Sequence, residues 1–185
     1  SISLARFLCY GQAKFMDNCF SQGDSCDPGY MDLALQEAAK AAEEEEIPVG
    51  AVVIWKDKVI GRGHNQREKL QNPIAHAEIV ALLEASSRLR SWRLHECTLY
   101  ATLEPCIMCV GAVLQARLSR LVFGCLDPKG GAVESLYRLC EDPRLNHRVA
   151  VTRGVLESEC GRILSDFFAR LRTKDSKATR ADSPT

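Results

Sequence analysis

At 185 residues with 46% hydrophobic side chains, the chain has room for one domain with a sizeable core, plus tails. Its 24 basic and 24 acidic residues cancel, which excludes a global basic field, so a nucleic-acid partner would have to be held by local patches. No apolar run approaches the ~18 residues of a membrane helix. Nine cysteines, an odd count without a compact disulfide spacing, point to a reducing, intracellular setting.

Residues 1–29 hold Gly23, Pro28 and Gly29 and show neither helical nor strand periodicity, so they read as a poorly ordered N-terminal extension. Their opening lacks the apolar core of a secretory signal, and Cys9, Cys19 and Cys26 carry no ligand spacing. The domain proper spans 30–172. Leu33, Ala34, Ala38, Ala41 and Ala42 recur at helical spacing. Glu43, Glu44, Glu45 and Glu46 read as the solvated end of that helix, and Pro48 stops it.

A buried strand over 49–55, a tight turn at Lys56-Asp57 and a strand over 59–63 predict an antiparallel hairpin. A polar loop then leads to Asn72-Pro73, followed by a helix over 75–89 with Ile79, Leu82 and Leu83 on its apolar face. Next come a strand over 98–102, a helix over 106–115 and a short strand over 121–124. Gly130-Gly131 marks a loop, 134–139 suggests a short helix, and 148–151 the last strand. An amphipathic helix over 157–172 closes the domain, and the polar tail 173–185 is expected to be disordered. This order of elements predicts an α/β fold with a mixed sheet, helices on both faces and parallel pairing in its second half.

Two short motifs carry the chemistry. His76-Ala77-Glu78 sits at one predicted helix start and Pro105-Cys106-Ile107-Met108-Cys109 at another. Zinc accepts His nitrogen and Cys thiolate in a tetrahedral site, and catalytic sites stop at three protein ligands and keep the fourth position for water. His76, Cys106 and Cys109 supply those three, leaving Glu78 beside the metal to move protons. A lone Cys-x-x-Cys also suits a redox pair or half of a structural zinc site. The latter needs a second pair, and no other two cysteines have that spacing. Zinc activates water near neutral pH, so attack on an amidine-like ring carbon with loss of ammonia, a hydrolytic deamination, is the reaction these residues favour.

The two motifs together are the signature of the zinc-dependent cytidine/deoxycytidylate deaminase superfamily. More narrowly, residues 30–172 resemble the tRNA-specific adenosine deaminases. The supporting segments are 48–52, 75–79, 98–109, Asn146-His147-Arg148 and Ser165-Asp166-Phe167-Phe168. The resemblance implies a three-layer α/β/α fold around a five-stranded mixed sheet, with one Zn2+ per subunit of a cytoplasmic homodimer. It implies conversion of adenosine to inosine at the wobble position of a tRNA anticodon loop, on a base taken out of the stack.

By motif match, Asn65 would hydrogen-bond the flipped purine and Asp127 would lie near a ribose. Leu103 would line the pocket, with the Ala77 amide assisting. Leu126 stands where the best-known members carry Arg. Taken alone, Asn65 equally suits a turn cap, and Asp127-Pro128 a turn. Arg162, Arg170, Arg172, Lys174, Lys177 and Arg180, against Asp166 and Asp175, form a basic stretch suited to phosphates or simply to solvent. Two other functions compete: a deaminase of free cytosine, cytidine or guanine, and a catalytically silent zinc-binding interaction protein. Glu78 weighs against the second, which has no use for that carboxylate.

Overall fold

The computed structural model describes residues 26–181, with side chains as far as Lys174. Helix α1 (Asp27–Glu43) starts three residues before the expected Tyr30, because Pro28 sits in the first turn, where its missing N–H leaves no bond unmade. Strands β1 (Gly50–Trp55) and β2 (Lys58–His64) form the antiparallel hairpin. Its two turn residues, Lys56 (φ 47°) and Asp57 (φ 59°), both take the left-handed conformation. The loop expected next contains a single helical turn, α2 (Arg67–Leu70). Then follow α3 (Ala77–Leu89), β3 (Cys97–Leu103), α4 (Ile107–Gln115), β4 (Arg120–Cys125), β5 (Ala150–Arg153) and α5 (Glu157–Ala181).

The sheet order is β2-β1-β3-β4-β5, with β1 antiparallel to both neighbours and β3, β4 and β5 parallel. This is the mixed five-stranded sheet of a cytidine-deaminase-like fold. Period-two alternation divides its side chains between two cores. Ala51, Val53, Leu99, Ala101, Leu121 and Phe123 face α3 and α4, whereas Val52, Ile54, Tyr100 and Val122 face α1 and α5.

Four expectations need correction. Residues 134–139 form turns, not a helix: the Leu136 and Leu139 N–H groups bond the Gly131 and Ala132 carbonyls, outside the helical i→i−4 ladder. The last strand runs Ala150–Arg153, shifted from 148–151, since Val149 N–H already bonds the Cys140 carbonyl. The closing helix continues to Ala181, so the tail expected to be disordered is helical that far. Residues 173–181 contain neither Gly nor Pro, and Lys174 is tied to Glu45 at 2.6 Å. Cys26 is disulfide-bonded, contrary to the expectation from cysteine count and spacing. The expected extension lies outside the described residues except for residues 26–29, of which 27–29 are helical. Cys97, Cys125, Cys140 and Cys160 are free and buried, as small core side chains. Among the described residues no helix is long and apolar enough to cross a membrane.

One close approach fixes the height of α3 above the sheet. A Cβ on Gly63 would stand 2.2 Å from the Ala77 carbonyl oxygen and 2.6 Å from the Ala81 nitrogen, both backbone atoms of α3. Gly63→Ala must therefore lift the helix that begins beside His76. We expect a loss of about 3 kcal/mol, with weaker metal retention, in denaturant melts paired with metal analysis. A variant as stable as the parent would show that α3 is not seated by this contact.

Candidate active site

His76 and Cys106 are the N-cap residues of α3 and α4, and both have extended backbones. Neither helix start is capped by a side chain, so first-turn N–H groups and the positive ends of two helix dipoles converge at one edge of the sheet. His76 Nδ1 lies 3.7 Å from Cys106 Sγ and 3.6 Å from Cys109 Sγ. Bonds of about 2.05 Å to nitrogen and 2.3 Å to sulfur at tetrahedral angles place N and S about 3.6 Å apart, so the donor set fits zinc. Among the described residues this is the one His/Cys/Asp/Glu group arranged to hold a metal.

The electrostatics agree. A hydrogen bond from the Cys109 thiol, helped by His76 and opposed by burial, brings Cys106 down to about 3. The same hydrogen bond and burial push Cys109 up. Protein groups alone thus ionise one thiol of the pair, and a dication beside both would favour the second thiolate. Glu78, 4% exposed, has its pKa raised by burial, which favours a carboxyl able to hold a proton.

Asn65, Ala77, Leu103 and Asp127 line one cavity of about 120 Å³ with His76, Glu78 and Cys106. The sequence-selected residues are therefore together. Asp127 also serves its turn, accepting from Lys129 N–H at 3.0 Å, while the neighbouring Leu126 is exposed. A larger cavity of about 340 Å³ lies at the opposite edge of the sheet. Two of its charges are committed to each other: Arg120 donates to both Asp27 oxygens at 2.9 and 2.6 Å, and Tyr100 to the same carboxylate at 2.7 Å.

Two carboxylates behind the cavity carry more than the sequence reading gave them. Glu104 follows the pocket-lining Leu103 and lines the cavity as well. Its carboxylate accepts from the backbone N–H groups of Asp127 (3.0 Å), Val133 (3.1 Å), Glu134 (2.7 Å) and Ser135 (2.9 Å), and from the Ser135 hydroxyl. It thereby anchors the whole loop against the residue next to Pro105. Glu46, read as part of a solvated helix end, is 2% exposed. It accepts from Asn65 Nδ2 at 3.1 Å and from the Lys69 backbone N–H at 2.7 Å. The signal for it was Pro48, which forces the chain extended at Ile47 and ends the helix before Glu46.

A family model for MafB19-like deaminases matches residues 27–172. The chain belongs to this deaminase family. Among its relatives, the tRNA-specific adenosine deaminase of Bacillus subtilis is 49% identical over 154 residues, 83% of this chain and 96% of the relative. The tRNA-specific adenosine deaminase of Aquifex aeolicus is 43% identical over 143 residues, 77% of this chain and 94% of the relative. A solved structure from work on A-to-I editing by tRNA:A34 deaminases at the wobble position of transfer RNA superposes with a TM-score of 0.71. It is 45% identical and covers 74% of this deaminase and 99% of its own chain. A guanine deaminase structure from Bacillus subtilis is more distant, at 31% identity and a TM-score of 0.51 over 53% of this chain and 63% of its own. The tRNA adenosine deaminase resemblance read from the motifs thus holds along the whole domain.

Two outcomes test the site. If His76, Cys106 and Cys109 hold zinc, Cys106→Ser is expected to lower bound zinc from roughly one per chain in metal analysis, with a lower melting temperature. Unchanged metal content would refute the ligand set. For Glu104, burial pushes the pKa up, but hydrogen bonds from the Ser135 hydroxyl and the amides of Glu134, Ser135 and Asp127 outweigh it and hold the group below the usual carboxylate range. A depressed folded-state pKa contributes stability above the unfolded value of about 4.3 and loses it as pH falls through the folded value. Glu104→Gln should cost about 3 kcal/mol near neutrality, roughly 6–12 °C in Tm. It should also remove part of the parent's acid sensitivity, read from melts between pH 3 and 7 on the order of one unit apart.

Proposed function

We propose that this protein is a zinc-dependent hydrolase that converts adenosine to inosine at the wobble position of a tRNA anticodon loop. The supporting observation is the His76–Cys106–Cys109 set, sharing one cavity with the buried Glu78 and Asn65, in a chain 49% identical to a tRNA-specific adenosine deaminase. When bound by these three residues, zinc would supply Lewis-acid activation of water near neutral pH. Glu78 takes a proton from the attacking water and delivers it to the ring nitrogen. It then carries a proton to the departing amine, so water enters at the ring carbon and ammonia leaves. Its raised pKa suits the interval in which it holds that proton. Asn65 contacts the base, Asp127 lies by the ribose, and Leu103 and Ala77 form the walls, on a nucleotide extruded from its loop.

The exposed Arg162, Arg170 and Arg172 of α5 provide a basic face for the phosphates of the stem, so binding should weaken as salt rises. A homodimer is supported by an apolar surface on α3 and α4. Leu83 is 66% and Ile107 51% exposed, and a Cβ at Gly111 would meet nothing within 4 Å. A tRNA-modifying role puts the enzyme in the cytoplasm. The guanine deaminase neighbour keeps a free-base substrate as the second reading.

The test is to incubate the zinc-loaded protein with an unmodified tRNA bearing wobble adenosine, beside free cytosine, cytidine, adenosine and guanine. Inosine at that one position is expected. Turnover of a free compound alone would move the substrate, and zinc binding without turnover would bring the silent protein forward. Glu78→Ala should keep its zinc and lose roughly 10²- to 10⁴-fold in turnover. An active variant would remove the proton shuttle.

A further inference from the structure

Glu46 lies outside the metal site, yet it is among the most buried charged side chains of the molecule. Glu45, with φ 61°, turns the chain after α1 and sends the next side chain inward. There one carboxylate oxygen accepts from Asn65 Nδ2 at 3.1 Å, and the other accepts from the Lys69 backbone N–H at 2.7 Å. A carboxylate offers acceptors only, so the nitrogen end of the Asn65 amide must face it. One amide hydrogen is used on Glu46. When that hydrogen is the one anti to the amide oxygen, the carbonyl oxygen and the second hydrogen remain, side by side, as an acceptor–donor edge. Asn65 itself lines the cavity that contains His76 and Glu78.

We infer that Glu46 is a positioning residue that sets the order of acceptor and donor on Asn65, and through it the preference for an amino-purine over a keto-purine. The inference rests on Asn65 as the base contact. An Asn amide pairs with adenine by accepting from N6–H and donating to N7. Guanine presents acceptors at both of those positions and cannot complement the same edge. Without a fixed orientation the amide could present either order. The Glu46 carboxylate removes that freedom.

Glu46→Gln tests this because it keeps the shape and the tie to Lys69. The Lys69 N–H still requires an oxygen, so the new side-chain nitrogen turns toward Asn65. Asn65 must then present its own oxygen to that nitrogen, which reverses the edge facing the base. We expect unchanged zinc content, a raised KM, and kcat/KM on the anticodon substrate lower by roughly 10- to 100-fold. In an Asn65→Ala background, single-turnover rates should show no further loss from Glu46→Gln, because the two residues act as one unit. A Glu46→Gln enzyme as active as the parent, or an equal loss in both backgrounds, would overturn the proposal.

Side-chain amide NMR gives a readout independent of turnover. The Asn65 NH2 pair, assigned by its disappearance in Asn65→Asp, should carry one proton shifted downfield by the carboxylate and lose that shift in Glu46→Gln. An unshifted pair would refute the orientation even if tRNA is the substrate. A shifted pair would sustain it even if the tRNA reading fails.

Discussion

The helices α3 and α4 begin at His76 and Cys106, which bring their positive dipole ends to the same point at one end of the sheet. This convergence governs the rest of the site. It brings the ligand atoms of His76, Cys106 and Cys109 within 4.8 Å of one another, a set that could hold a metal ion, and favours negative charge there. It depends in turn on how low α3 sits over β2, which lacks side chains at Gly61 and Gly63 where the helix backbone crosses. The hairpin therefore helps to position His76 without adding a side chain to the His76–Cys106–Cys109 group.

Three buried carboxylates surround the cavity, each in a different environment. Glu78 has its proton affinity raised by burial and is suited to exchange protons. Glu104 is saturated by N–H and O–H donors that hold it below the ordinary range and keep it an anchor. Glu46 shares its two oxygens between a side-chain amide and a backbone amide, so it orders a neighbour. Local donors, more than depth of burial, separate the three roles.

Much of this was legible in the sequence because the deciding signals are local. The alternation of 49–55 and 98–102, the helical spacing after Ala75, and the fixed offsets of His76-x-Glu78 and Pro105-Cys106-x-x-Cys109 each lie within one short segment. Misses occurred where tertiary partners decide. Residues 134–139 have a helical composition, yet the first two amides are held by Glu104, some 30 residues away, and those of Leu136 and Leu139 by the Gly131 and Ala132 carbonyls. The four-glutamate run looks uniformly solvated, but Glu44 pairs with Lys69, Glu45 with Lys174, and Glu46 is buried on Asn65. Identity alone could not separate four adjacent copies of one residue.

The anchoring of the loop between Asp127 and Ser135 has a consequence for how this pocket can vary. Four of the five hydrogen bonds on Glu104 come from main-chain N–H groups, which every residue except proline can provide. The conformation of that loop is thus decoupled from the identity of its side chains except at Ser135, whose hydroxyl also donates to Glu104, and at Gly131, where a Cβ would stand 2.2 Å from that carboxylate. Exchanges at positions such as Lys129 or Glu134 can alter what the rim offers an incoming ligand while the backbone beside Cys106 stays in place. The rim is the part of this enzyme most open to drift in ligand preference, and the metal-binding turn beneath it the part least disturbed by such change.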